Sequence, residues 1–351
     1  MLRHADVTTV GRHPEVFSAS EGGVVIEDLE PDQLTMMRMM LLAMDPPGHL
    51  QYRRPLAPTF TARSIATLEE QIRAVCRRIM GEVGGEVDFV HDVCAFLPSQ
   101  IIGELMGIPE NDWPRIHQWA ERLTGFQDAD LDSDDDPGVS MAMYAIEMAG
   151  RRRAEPEQRD DLAGLILSIR FGDEPMTDID FGSFFVQLVT AGNDTTRTML
   201  SSGLHALLQH PDQLAMLRAD SSLLHGAVEE ILRWANPLHY FRRTALQDTE
   251  LNGTRIAAGQ KVAMVYTSAN RDSDVFADPD RFDITRHPNP HLSFGVGEHF
   301  CLGAQLARLE GRIFFEELLS AFPVIEQVGE PVRMRSNLNN ALKRLPVRLG
   351  A

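Results

Sequence analysis

Apolar residues recur along most of this chain at the spacing of a helix, not of a strand. Over 63–80, Ile65, Leu68, Ile72, Val75 and Ile79 fall three or four apart, the stripe of an amphipathic helix. Segments 91–106 and 112–124 read the same way. Segment 178–209 differs, because it is a mostly apolar helical run that must cross the centre of a large core. Asp178 is placed to cap its start, and Pro211 bars its continuation. Segment 212–235 predicts two further helices. From 241 the texture changes, with the short β-like runs TELNGTRI and QKVAMVY set between Gly and Asn turns. Helix returns over 302–321, and the tail SNLNNALKRLPVRL predicts a closing hairpin. No repeat or long linker interrupts this pattern. The expectation is one domain over 1–351, mainly α with a minor β part built from small sheets.

Composition narrows the function. The chain has 351 residues, 43% apolar and 24% charged, the balance of a globular protein. A formal net charge of −18 argues against bulk nucleic-acid binding, which needs a basic face. No apolar run is long enough for a transmembrane segment, and MLRHADVTTV lacks the apolar stretch of a signal peptide. Three widely spaced cysteines, Cys76, Cys94 and Cys301, fit a reducing cytoplasm and no disulfide framework. The segment 128–136, DADLDSDDD, fails the calcium-loop template, having Ser133 and Val139 where Gly and Glu belong, and reads as a solvated loop. The run MMRMM at 36–40 is a flexible apolar packing surface or a pocket wall.

Chemistry concentrates in FGVGEHFCLGA, 294–304. A loop with two glycines leads into a helix starting near Leu302, which places Cys301 at a helix N-terminus, where unpaired N–H groups stabilise a thiolate. Gly295 and Gly297 let the loop fold tightly under a planar ligand, Gly303 removes a side chain where the helix nears it, and Phe294 shields the sulfur. The competing reading is a buried structural cysteine after a Gly-rich turn.

Phe294, Gly295, Gly297, His299, Cys301 and Gly303, in this register, resemble the haem-binding loop of the cytochrome P450 monooxygenases. The resemblance implies that fold, with haem b (iron protoporphyrin IX) between the long central helix and the helix after the Cys loop. It makes Cys301 the proximal iron ligand. Three further motifs follow the family order. Glu230 and Arg233, at i and i+3 on one helix face, are paired in the family with a later arginine, here Arg281 in PDRF, as a structural cluster. Ala191-Gly192-Asn193-Asp194-Thr195-Thr196 lies midway along the long helix, where a glycine and a buried acid are costly unless used. The resemblance makes Asp194 and Thr195 the catalytic proton relay, with Ala191 against the haem and Gly192 opening a groove for dioxygen. His49 and Arg53, at i and i+4 of a helix start, suit carboxylates, and the family uses such a pair for the haem propionates. It adds a strand arginine, for which the spacing to Thr244 and Ala245 favours Arg243 over Arg242, and His299.

The resemblance runs from about residue 3 to the end of the chain. Family members usually carry a further N-terminal stretch that forms a first helix and two strands of the main sheet. The expectation is that the short form yields less haem-loaded protein than one extended upstream. By helical spacing and position, Gln187, Thr190, Leu238, His239 and Leu338 are candidates for the substrate pocket, and they predict a lipophilic substrate with a polar handle. AGNDTTRT and the stretch 268–295 look most like actinobacterial members acting on sterols, terpenoids or branched lipids. No GxGxxG or βαβ pattern is present to bind a flavin or nicotinamide. The resemblance therefore implies a ferredoxin and ferredoxin reductase, with NAD(P)H acting only through them. Arg53, Arg54, Arg308 and Arg312 are candidates for the basic patch on which the ferredoxin docks. The alternatives are a peroxide-driven oxygenase of the same fold and a truncated, non-catalytic haem binder.

Overall fold

The computed structural model describes residues 1–131, 135–155, 159–171 and 173–350. Its helices are α1 (His4–Arg12), α2 (Pro31–Arg38), α3 (Gly48–Leu56), α4 (Ala62–Ala66), α5 (Glu69–Glu82), α6 (Phe96–Leu105), α7 (Trp113–Thr124), α8 (Pro137–Ala154), α9 (Leu162–Leu167), α10 (Asp178–Gln209), α11 (Pro211–Ala219), α12 (Leu224–Ala235), α13 (Tyr266–Ala269) and α14 (Ala304–Ala321). The strands are β1 (Phe17–Ser18), β2 (Gly85–Asp88), β3 (Arg170–Phe171), β4 (Glu174–Pro175), β5 (Tyr240–Ala245), β6 (Thr249–Leu251), β7 (Thr254–Ile256), β8 (Lys261–Val265), β9 (Val324–Gln327), β10 (Val332–Arg333), β11 (Leu342–Arg344) and β12 (Pro346–Gly350). Short 3-10 turns and a π-helical turn over Phe89–Cys94 join them.

Helix α10 is the axis of the molecule, as its apolar composition requires. Helices α6, α7, α8, α12 and α14 all pack on it. Its start is capped by Thr177, not Asp178. The Thr177 hydroxyl accepts from Asp180 N at 3.0 Å, and Asp180 accepts from Thr177 N at 3.4 Å. This reciprocal box works because an N-cap must sit one residue outside the helical dihedrals. Pro211 opens the next helix, where its missing N–H costs nothing.

The stripe over 63–80 is split into α4 and α5. The Thr67 hydroxyl donates to the Ser64 carbonyl at 2.6 Å and closes the first turn. The closing hairpin is also divided. β11 pairs with β10, whereas β12 leaves to sit between β2 and β9, with Val347 opposite both Val87 and Gln327. Leu345, Val347 and Leu349 carry β12 into the main core.

The sheet β1–β5–β8 flanks the Cys-loop side. Successive side chains on a strand face opposite ways, so Arg242 and Arg243 on β5 diverge. Arg242 turns to the loop before α2, where it donates to Glu27 O at 3.1 Å. Arg243 turns inward. The Met-rich run 36–40 lies at the end of α2, a helix with no buried residue, and Met36 is exposed. Of the acidic stretch, 132–134 lie outside the described residues, while Asp136 caps α8 and Asp128 accepts from Lys343 at 3.1 Å.

Candidate functional site

The Cys loop is built by its glycines. Gly295 and Gly297 have φ of +68° and +76°, which other residues resist. A Cβ on Gly297 would stand 2.1 Å from Gly11 O, so α1 packs directly on this turn. The Cys301 amide donates to Phe294 O at 2.8 Å and closes the loop. Helix α14 begins at Ala304, two residues later than the pattern predicts, with Gly303 as its cap. Cys301 is accessible although protein surrounds it, which is the geometry of a residue facing an internal cleft. Enclosure pushes its thiol pKa up, opposed by the Gly303 backbone and the Arg53 and Arg308 guanidiniums. Phe294 is buried beside it, with Arg308 4.5 Å over its ring, and Arg308 is fixed in turn by Glu229 at 2.7 Å.

Above this loop His49, Arg53, Arg243 and His299 converge. The rings of His49 and His299 lie 4.3 Å apart. Both His49 nitrogens and His299 Nε2 are buried without a hydrogen-bond partner among the described residues. Burial, with Arg53 and Arg243 nearby, holds His49 down to about 4. Burial, with Arg243, His49 and Arg53, holds His299 to about 2. Arg53 donates to Phe300 O, and Arg243 donates to Arg242 O at 2.8 Å. Asp45, the acid nearest this group, is engaged by Ser18 and by Ala19 N. A cluster of donors without an acid partner fits a ligand bearing two carboxylates. The two haem propionates meet that description, and Cys301 supplies the axial donor, so the residues present fit haem.

The opposite wall is α10. Ala191 is exposed and Thr195 half-exposed in the middle of the most enclosed helix, so both face the cleft. The Thr195 hydroxyl donates to Ala191 O at 2.6 Å. Asp194 is buried and turned away, with Oδ1 2.9 Å from Arg197 Nη2. Burial lifts its carboxyl to about 6, Arg197 opposing and Glu121 assisting. The expected relay pair is therefore adjacent in sequence but diverges in space. Gly192 points toward Ile102 of α6, where an added Cβ would stand 3.4 Å from the Ile102 side chain.

The structural cluster needs one correction. Glu230 and Arg233 are fully buried and joined by two 2.8 Å bonds, as the spacing predicts. The third side chain is Arg286, whose Nε lies 3.2 Å from Glu230. Arg281 is exposed and contributes only its carbonyl, which accepts from Arg233 at 3.0 Å and Arg286 at 2.9 Å. The turn after Phe282 brings Arg286 back, a geometry that the PDRF motif alone does not reveal.

The pocket candidates separate. Gln187 accepts from Leu42 N at 3.4 Å, and the Thr190 hydroxyl is buried without a partner among the described residues. Leu238 pairs with Asn339, and His239 N donates to Leu338 O at 2.7 Å, where β5 meets the C-terminal ribbon. The His239 ring instead meets Thr267 at 3.0 Å and lines a groove of about 670 Å³ with Ile26, Tyr240, Val265 and Asn337, which neither Ala191 nor Cys301 lines. The basic patch is also weaker than expected, because Arg308 pairs with Glu229 and Arg312 with Glu69, leaving Arg54 exposed.

A family model described as cytochrome P450 matches residues 88–349. A steroid C26-monooxygenase of Rhodococcus jostii is 38% identical over 97% of this chain and 73% of its own length. A methyl-branched lipid omega-hydroxylase of Mycobacterium tuberculosis is 39% identical over 99% of this chain and 83% of its own. The structure of a Mycobacterium marinum cytochrome P450 in complex with pseudoionone superposes with a TM-score of 0.93 at 39% identity, covering 99% of this chain and 86% of that one. With a Cys loop beneath a donor cluster and a central helix opposite, this chain belongs to the cytochrome P450 family, as a monooxygenase. No helix among the described residues is long and apolar enough to cross a membrane.

Proposed function

We propose that this chain acts as one domain, in the cytoplasm, as a ferredoxin-fed haem b monooxygenase that hydroxylates steroid-like or methyl-branched lipids. The observation that carries the reading is the His49–His299–Arg53–Arg243 cluster beside Cys301, whose imidazole nitrogens His49 Nδ1 and Nε2 and His299 Nε2 are buried without a partner among the described residues. The relatives' names, one a steroid and one a methyl-branched lipid oxygenase, support the substrate class. Three unpaired cysteines fit a reducing compartment.

Haem b held here supplies dioxygen activation, with one oxygen entering a C–H bond and the other leaving as water on two electrons and two protons. Cys301 would hold the iron as a thiolate, whose charge Arg53 and Arg308 favour. His49, Arg53, Arg243 and His299 would donate to the haem propionates. Phe294 keeps water from the sulfur. Thr195, facing the cleft, would present its hydroxyl to the reacting side, and Asp194, turned away behind it, would carry the exchangeable proton. Gln187 and Thr190 orient a polar group of an otherwise apolar substrate, the buried Thr190 hydroxyl being ready to pair with it. Electrons come from NAD(P)H through a reductase and a ferredoxin, which docks near Arg54 and the exposed Phe300 on the Cys-loop face. The Asp194–Thr195 pair disfavours a peroxide-driven enzyme, which needs no proton delivery to dioxygen.

The test is the absorbance of the reduced protein under carbon monoxide. A band near about 450 nm is expected for thiolate ligation, lost in Cys301→Ser. A wild-type band near about 420 nm sinks the reading. Sterols and methyl-branched fatty acids should then shift the ferric spectrum, and failure of both classes would sink the substrate assignment.

A further inference from the structure

We propose that Arg197 and Glu121 are positioning residues that hold the Asp194 carboxylate toward helix α7, so that the seating of α7 controls whether this acid is loaded with a proton. The inference rests on the reading of Asp194 as the proton carrier and adds what governs it.

Two rungs join α7 to α10. Asn193 Nδ2 meets His117 Nδ1 at 2.8 Å, and Arg197 Nη1 donates to Glu121. His117 and Glu121 are i and i+4 on α7, and Asn193 and Arg197 are i and i+4 on α10, so both rungs lie on facing stripes. Asp194 sits between them, with Oδ1 2.9 Å from Arg197 Nη2. That contact lacks hydrogen-bond alignment, and Asp194 Oδ1, Arg197 Nε and Arg197 Nη2 are all buried without a hydrogen bond among the described residues. Arg197 is thus committed to Glu121 and only leans on Asp194.

The charge count follows. One guanidinium faces two carboxylates, with Arg197 and Asp194 closed to water and Glu121 partly so. Two anions there cannot both be compensated, so one must take a proton easily. Glu121 holds the aligned bond and keeps its charge, which leaves Asp194 as the acid that protonates. His117 is held down to about 4 by burial and by Arg197, and so adds no second cation. The other ionisable groups around the site are His91 and Cys94 on the π-helical turn, and Glu310 of α14, which reaches Thr196 at 3.4 Å. Withdrawing α7 would remove Glu121, free Arg197 for Asp194 and leave that acid as a tightly held anion. Seating α7 restores the sharing and the proton. The loop after α7 is itself tied down, since Gln127 Nε2 donates to Glu27 at 2.8 Å, so the state of that rim is transmitted to the acid.

The experiment is an infrared pH titration of buried carboxylic C=O bands in the haem-loaded full chain, with Asp194→Asn and Glu310→Gln assigning which band is which. The Asp194 band is expected to titrate with a midpoint near 6 in the wild type. Glu121→Gln should lower that midpoint by about one pH unit, because a neighbouring anion is lost and Arg197 is released. Glu121→Asp should restore it. If Asp194→Asn removes the band but Glu121→Gln leaves its midpoint in place, the positioning role is overturned. If Asp194→Asn removes no titrating band, Asp194 is not the proton carrier and the reading beneath the proposal fails. A thermal melt of Glu121→Gln separates both results from loss of fold, since a merely structural Glu121 would lower the melt and leave the midpoint alone.

Discussion

His49 and His299 lie tilted against each other at 46° with ring centroids 4.3 Å apart, and each buries an Nε2 that has no partner among the described residues. Each imidazole is therefore available as a donor to the same acceptor. Replacing either with Phe keeps the packing and removes a charge-assisted bond of about 1.5–3 kcal/mol, so haem affinity should fall at least about tenfold. The ratio of haem absorbance to protein absorbance after dialysis against apomyoglobin measures this. Unchanged retention in the double variant would refute the assignment.

The same pair sets an acid limit in the haem-free protein. Folding depresses both histidines, His49 to about 4 and His299 to about 2, chiefly by burial. A depressed pKa stabilises the fold fully above the ordinary histidine value of about 6.5 and loses that contribution as pH falls through the folded value. The melting temperature of haem-stripped protein should therefore drop between about pH 6.5 and 4, more steeply than in the His49→Phe, His299→Phe variant. Parallel curves would show that the pair is not buried neutral.

Glu230 separates two arginines that the motif alone cannot tell apart. Arg286→Ala removes a side chain 3.2 Å from a fully buried carboxylate and should cost about 3 kcal/mol. Arg281→Ala leaves the backbone carbonyl in place and should stay within about 0.5 kcal/mol of the wild type. Urea unfolding of the haem-loaded protein decides, and a reversed order would restore Arg281 to the cluster.

Thr195 donates to Ala191 O at 2.6 Å and faces the cleft. Thr195→Val keeps the shape but deletes the hydroxyl. Product formed per NADPH consumed should fall by about tenfold while peroxide rises, since proton delivery and not binding is lost. Tight coupling in the variant would move the relay elsewhere.

Glu27 Oε1 accepts from both Gln127 at 2.8 Å and Asn337 at 2.7 Å, tying together the loop before α2, the loop after α7 and the C-terminal ribbon. Glu27→Ala should accelerate both association and release of a shift-inducing sterol several-fold and change its affinity little. Stopped-flow mixing reads both rates. An effect on affinity alone would make the tie a ligand contact and not a latch.

Several features were legible along the chain because their causes are local. Helix α10 runs over the expected 178–209, since apolar composition and Pro211 act within a few residues of its ends. The Cys loop was legible because positive φ demands glycine at 295 and 297. The spacing to Thr244 and Ala245 favours Arg243 over Arg242, and the alternation of β5 then turns the two arginines to opposite sides. Thr177 in place of Asp178 as the cap is a miss of one residue, set by where the helical dihedrals begin.

The remainder depended on which distant segments met. Arg286 reaches Glu230 through a turn, and β12 deserts its hairpin for β2 and β9, where a deeper core receives Val347. Arg308 and Arg312 lose their free charge to Glu229 and Glu69 on other helices, and His239 turns to Thr267. Asp194 follows Arg197 toward α7 and away from Thr195, because a buried carboxylate goes to the nearest cation and not to its sequence neighbour. Periodicity, caps and glycine dihedrals are short-range and belong to the sequence; the partner of each buried charge is long-range, and only the tertiary structure decides it.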